Sequence, residues 1–283
     1  MAVFYLALLL LMLFFPEAYV PSAYHALKIW GLDVVPSLFP YMVFCRLLAA
    51  QLQNTRIPPS AIAIFLGLLG GSPSGASVLS VYSHALSAQV LFPLCALTGT
   101  ISPMFILNTV NQWIHDSMQC WSLLSCHLSG SVFSAGLAYL LVRRFPAYFQ
   151  LQHAPTAGSG PSESLVQQCL LAVLNIGGCI VMYNVMAVYI CKLPLLSSSS
   201  YLSAFAHSLL EMAGGIHAIS SLPDTLIRAY LLCAAVSFSG LSILTQNAYF
   251  LRPLGIQMKH QLLFALFRSV GSVLTLGMYQ AIS

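Results

Sequence analysis

Leu66-Gly67-Leu68-Leu69-Gly70-Gly71-Ser72-Pro73-Ser74-Gly75-Ala76-Ser77 is a break rich in glycine, serine and proline, set in the middle of an apolar run from 57 to 92. A helix needs about 20 apolar residues to cross a hydrocarbon core about 30 Å thick, and each half of this run is too short. Backbone outside regular helix survives at membrane depth only where protein packs on it or a wet cavity adjoins it, because an unpaired amide there costs several kcal/mol. The break therefore predicts a broken, re-entrant hairpin. A second interrupted run, 226–251, carries Ser237-Phe238-Ser239-Gly240 at its centre and reads the same way.

Composition places these breaks in a membrane protein. Of 283 residues, 59% are hydrophobic and 6% charged, and the mean hydropathy is +0.86, so too little polar surface exists to cover a water-exposed body. Ten Lys and Arg against six Asp and Glu give a net charge of +4, too sparse to track phosphates, which excludes nucleic acid as a partner. Further apolar runs at 2–15, 31–52, 94–111, 121–142, 165–191, 201–221 and 260–282 predict helices, the first read as retained and not as a cleaved leader. A polar linker, 143–163, contains Ala154-Pro155-Thr156-Ala157-Gly158-Ser159-Gly160-Pro161 and divides the chain into halves 1–142 and 164–283.

The expected fold is an all-α polytopic bundle with two broken or re-entrant helical hairpins, 57–92 and 226–251, in a two-repeat arrangement. With both hairpins re-entrant and the N-terminus inside, Arg46, Arg56, Arg143, Arg144, Arg228, Arg252 and Lys259 fall inside, against Lys28 and Lys192 outside. That assignment puts both hairpins on one side, whereas an inverted repeat needs them on opposite sides. Parallel and inverted repeats both stay open.

At the first break Pro73 lacks an amide donor and the glycines permit unusual backbone. A half-helix starting near Ser74 then presents free N–H groups and a positive dipole end to an anion, with the Ser72 and Ser74 hydroxyls beside it and Gly75 allowing close approach. The competing reading is packing, since Gly67, Gly71 and Gly75 form a small-xxx-small ladder. Thr98-Gly99-Thr100-Ile101-Ser102-Pro103 is a third polar interruption, read either as a Pro kink or as bringing Ser102 and Asn108 to a cavity.

Glu211 is the only acid deep in an apolar run and is followed by Gly214-Gly215, which marks it for proton or ion coupling. His207 lies one helical turn before it. Arg268 in the last helix is its natural counter-charge or a dicarboxylate ligand. At the second break Ser239, Gly240, Ser242 and Gln246 are candidates to line the cavity, Ser242 and Gln246 sharing a face. The eight cysteines contain no CxxC pair and read as packing residues, and Asp33 reads as a helix cap. Neither a metal nor a cofactor is expected, and no nucleophile–base pair supports an enzyme.

Six motifs occur in one order: Asp33-Val34-Val35-Pro36-Ser37-Leu38-Phe39-Pro40-Tyr41, Gly70 to Ala76, Ile101-Ser102-Pro103-Met104-Phe105-Ile106, Ile176-Gly177-Gly178, Leu210-Glu211-Met212-Ala213-Gly214-Gly215, and Phe238 to Gln246. Together they resemble the sporulation integral membrane protein family of the YlbJ type, although Ser77 stands where that family often carries a lysine. The family is similar in turn to proteins with nucleoside-recognition (gate) domains. What the resemblance implies is a multi-pass protein of the cell membrane of spore formers, in particular of the outer forespore membrane, moving dipicolinate. The expected function is thus transport of a small anion across a lipid bilayer. Alternatives are a non-transporting assembly protein of the spore envelope, acting as a homo-oligomer or with other sporulation membrane proteins, and a nucleoside-type transporter.

Overall fold

A computed structural model describes residues 2–53, 55–152 and 164–282, all of whose regular structure is helical. The turn-rich 154–161 of the expected linker lies outside them. The path opens with α1 (Ala2–Phe14) and α2 (Pro16–Lys28), bent by 99° at a break that Pro16, at the first position of α2, enforces. A π-helical turn, Ile29–Val34, leads into α3 (Val35–Leu52); Asp33 sits inside this turn, not at a helix start as its reading as a cap required. Trp30 fastens the turn to α9 (Leu165–Ile190). Its indole N–H donates to the Val173 carbonyl at 3.1 Å, and its ring covers Gly177, where a Cβ would come within 2.5 Å of it.

The first hairpin is formed by α4 (Pro59–Gly70) and α5 (Ser74–Tyr82), joined by Gly71-Ser72-Pro73 with Gly71 at φ +60°. A Cβ on Gly75 would stand 3.2 Å from Gly67 Cα. In a continuous helix eight residues separate Cα atoms by about 12 Å, so the two legs fold back on each other. Gly67 and Gly75 are small because the legs touch there.

The second hairpin is not where the sequence placed it. The run 201–221, expected to span, holds α11 (Ser200–Leu210) and α12 (Met212–Ser220), which follow the single turn α10 (Pro194–Ser197). Glu211 interrupts them with extended backbone (φ −129°, ψ 121°) that reverses the chain, and a Cβ on Gly215 would overlap the backbone of Ser208. Conversely 226–251, expected to fold back, runs through. α13 (Leu226–Phe238) and α14 (Gly240–Leu251) are separated only by Ser239, whose left-handed φ of 72° still leaves its N–H bonded to Ala235 O at 3.0 Å. The stretch Leu226–Leu254 is long and apolar enough to cross a membrane. A polar break reads alike in both settings; what differs is whether one residue kinks the axis or an extended residue reverses it.

The run 94–111 is likewise part of a broken segment, α6 (Ala88–Thr98), irregular backbone at 99–104, a π-helical turn Phe105–Val110, and α7 (Asn111–Ile114). The long α8 (Ser117–Arg144) packs along both α6 and the π turn, so 88–114 also runs through. Four helices among the described residues are long and apolar enough to cross a membrane, or five with the bent α1–α2 pair. The chain is an integral membrane protein.

Placing the hairpins correctly exposes the repeat. Hairpin, broken segment and long helix recur as α11–α12, α13–α14 and α15 (Met258–Ile282), displaced by a constant 141 residues: 208 − 67, 240 − 99, 268 − 127 and 258 − 117 all equal 141. The first hairpin opens near Phe149, which packs on Phe92 of α6 just after the hairpin, and the second near Gln119, where Arg228 binds both Ser220 O and Gln119; these are opposite ends of α8, so the repeats are inverted. Loop contacts agree: His260 Nε2 pairs with Tyr148 O at 3.2 Å and Gln152 N donates to Leu254 O at 3.1 Å, gathering 145–152 and 252–260 at one end. At the other end Arg228, ion-paired with Asp224 at 2.5 Å, reaches Gln119 Oε1 at 3.5 Å. The first end collects Arg56, Arg143, Arg144, Arg252 and Lys259 and the second Lys192 and Arg228, so Arg228 lies opposite the inside group expected for it.

Candidate functional site

The tip of the first hairpin lies against the irregular backbone at 99–104. Ser72 N donates to Thr100 O at 2.5 Å, and Gly71 packs so tightly on Ile101 and Ser102 that any Cβ would overlap their backbone. From the second repeat, Asn247 on α14 donates its Nδ2 to Ser72 Oγ at 3.0 Å. The tip of the second hairpin bears the same relation to its own broken segment: a Cβ on Gly240 would stand 3.1 Å from Met212 N. One helix, α14, thus touches both tips. Seven residues separate Gly240 from Asn247, about 10 Å of rise, and between them lie Ser242 and Gln246, both buried.

Glu211 caps α12. Its carboxylate accepts from Ala213 N at 3.1 Å and Gly214 N at 2.7 Å, while Asn184 of α9 donates its Nδ2 to Ile180 O at 3.0 Å. His207 Nε2 meets Asn184 Oδ1 at 3.2 Å, and a Cβ on Gly214 would stand 3.0–3.1 Å from His207 Nε2, Asn184 Oδ1 and Glu211 Oε2, so the three polar groups gather around that glycine. Two hydrogen bonds hold a carboxylate that is 2% exposed. No basic side chain lies within ion-pairing reach of it among the described residues, where the one ion pair is Arg228–Asp224.

Arg268 is therefore not the partner of Glu211. Its Nε donates to Ser237 O at 2.7 Å, Nη1 to Ala96 O at 3.3 Å and Nη2 to Ser239 Oγ at 3.4 Å. The guanidinium sits at the C-terminal ends of both α6 and α13, where unpaired carbonyls and two helix dipoles offset its charge. Its equivalent across the repeat is His127 of α8. Ile101 N donates to His127 Nε2 at 3.2 Å, which leaves Nδ1 as the donor to Ser237 Oγ at 3.1 Å. Each long helix thus supplies one side chain that binds both breaks.

Most of the residues singled out from the sequence converge. Ser72, Ser74 and Gly75 form the first tip and its adjoining leg; Ser239, Gly240, Ser242 and Gln246 lie on the second broken segment; Glu211 is the second tip. Ser102 is close by, but its hydroxyl accepts from Phe105 N at 3.2 Å and starts the π turn. Asn108 is not brought in: it is exposed, with its Oδ1 bonded to Gln112 at 3.4 Å. Sequence reasoning passed over Thr100, Ser77, His127 and Asn184, for which the one available signal was polarity within apolar runs.

The site holds five of the eight buried side-chain atoms without a hydrogen-bond partner among the described residues, the others being Arg228 Nε and both amide atoms of Gln261. Ser74 Oγ, Ser77 Oγ, Thr100 Oγ1, Ser242 Oγ and Asn247 Oδ1 are buried without a hydrogen-bond partner among the described residues. All five belong to α5, the first irregular break and α14, the elements that meet at the first tip. Each costs about 1–3 kcal/mol if left so, and together they offer donors and acceptors to a small polar guest. The α5 N-terminus has no side-chain cap, Gly75 N being bonded instead to Gly71 O at 2.7 Å, and its positive dipole end faces the same place. A cavity of about 560 Å³ between α1, α2 and α9 is apolar and lies elsewhere, lined by Met12, Tyr19, Trp30 and Gly178 among others. No His, Cys, Asp or Glu cluster among the described residues could hold a metal.

Comparison with protein-family models, with curated proteins and with solved structures finds no match to this chain.

Proposed function

We propose that the protein is a transporter or permease of a small anionic metabolite, dipicolinate, of the YlbJ type and working during sporulation. The observation that carries this is the group of five buried, unpaired polar atoms where an uncapped helix N-terminus meets two broken segments. An anion accepts from the α5 amides and from the Ser72, Ser74 and Ser77 hydroxyls, while Ser242, Gln246 and Asn247 on α14 contact its remaining polar edge. Glu211 carries the coupling proton, and His207 with Asn184 forms its route. Inverted hairpins meeting broken segments allow the two halves to expose this site alternately to either face.

Uptake of labelled dipicolinate into vesicles holding the purified protein tests the reading. The wild type accumulates label, Ser74→Ala with Ser77→Ala loses at least ten-fold, and Glu211→Gln retains exchange but no longer responds to a pH gradient. Equal behaviour of wild type and empty vesicles would reject transport and leave an assembly role.

A further inference from the structure

Beside the central contacts, Cys126 of α8 and Cys233 of α13 line one small cavity together, and Cys233 Sγ meets Ser272 Oγ at 2.9 Å. The register is fixed independently. The next residue on α8, His127, binds Ser237, one helical turn beyond Cys233, at 3.1 Å. The cavity measures about 170 Å³ and lies between α8, α13 and α15, with Gln119, Ser122, Tyr279 and Gln280 also around it. Gln119 lies at the end of the bundle where Arg228 pairs with Asp224, so the cavity reaches toward one membrane face. Buried thiols are ordinarily inert because reagents cannot reach them; these two adjoin an opening wide enough for several waters.

We propose that Cys126 and Cys233 are a redox-modification site, closed to a disulfide by hydrogen peroxide entering through this cavity. One thiol attacks the peroxide, breaking its O–O bond to give a sulfenic acid and a first water. The second thiol then attacks that sulfur, forming the S–S bond and releasing a second water. Two thiols are oxidised by two electrons and one peroxide is reduced to two waters. The bridge ties α8, which binds both breaks through His127, to the first half of a broken segment, and so fixes against each other two elements that alternate access requires to move.

The test is chemical and independent of any substrate. Intact protein in lipid nanodiscs is treated with hydrogen peroxide, denatured, alkylated and digested. Of the eight free cysteines, two fewer are alkylated, a peptide pair joined through Cys126 and Cys233 appears, and dithiothreitol reverses both changes. Cys126→Ser and Cys233→Ser each abolish the linked pair; where one variant folds poorly, the wild-type peptide map still decides. Recovery of all eight alkylated cysteines, oxidation of the two to separate sulfinic acids, or a linkage elsewhere would overturn the proposal.

Discussion

Replacing Glu211 by alanine removes the carboxylate that turns the second hairpin. Two buried amides, Ala213 N–H and Gly214 N–H, then lose acceptors at 3.1 and 2.7 Å. Hydrogen bonds to charged groups contribute about 1.5–3 kcal/mol each, and loss of an N-cap alone costs about 1 kcal/mol, up to about 2. At the lower end of that range the two orphaned donors sum to about 3 kcal/mol. Glu211→Gln keeps one acceptor oxygen and loses about half of that. The assay is reversible unfolding in mixed detergent and dodecyl sulfate micelles, followed by circular dichroism. The predicted order is wild type above Gln above Ala, in steps of about 1.5 kcal/mol. An Ala variant within about 0.5 kcal/mol of wild type would refute the capping role, and a Gln variant as unstable as Ala would show that charge, not hydrogen bonding, holds the tip.

Gly215→Ala pushes a methyl group into the Ser208 backbone and should cost about 1–3 kcal/mol, whereas Gly178→Ala, with nothing within 4 Å, should be neutral; comparable melting temperatures would deny the tight second hairpin. Arg268→Lys keeps the charge but loses the fork that spans Ser237 O and Ala96 O, so it should destabilise by about 1–3 kcal/mol in the same unfolding assay. Unchanged stability would mean that the guanidinium does not bridge the two breaks. Ser72→Ala deprives Asn247 Nδ2 of its acceptor, and the double change Ser72→Ala with Asn247→Leu should be less damaging than the two single costs added together. Strict additivity would disprove the contact between the first tip and α14.

Composition and run length made the membrane class and the first hairpin legible, because Gly-Gly-Ser-Pro can neither continue a helix nor sit against lipid. The second hairpin was hidden. Its tip is one extended residue between Leu210 and Met212, good helix formers that leave the apolar run intact. The buried acid followed by Gly214-Gly215 reads as an ionisable group inside a helix, although an acid just before a helix start is equally the mark of an N-cap. Ser239 misled in the opposite direction, since a left-handed serine followed by glycine suggests chain reversal and here only kinks a crossing segment. The 141-residue repeat leaves little trace in residue identity: His127 answers Arg268 and Gly67 answers Ser208, alike in position and contact but not in chemistry. Arg268 was visible as a buried charge, but that backbone carbonyls would take up its donors depends on two helix ends converging, which no local pattern encodes.

Everything functional rests on a small polar guest being held at the first hairpin tip. The most direct measurement places a thiol there, Ser72→Cys with Cys126→Ser, Cys191→Ser and Cys233→Ser, since the five remaining native cysteines are buried, and follows its labelling by a small methanethiosulfonate reagent in proteoliposomes. Saturating dipicolinate should slow labelling at residue 72 at least ten-fold while leaving a control at exposed Asn108→Cys unchanged. Labelling of residue 72 at the same rate with and without the anion would contradict the account.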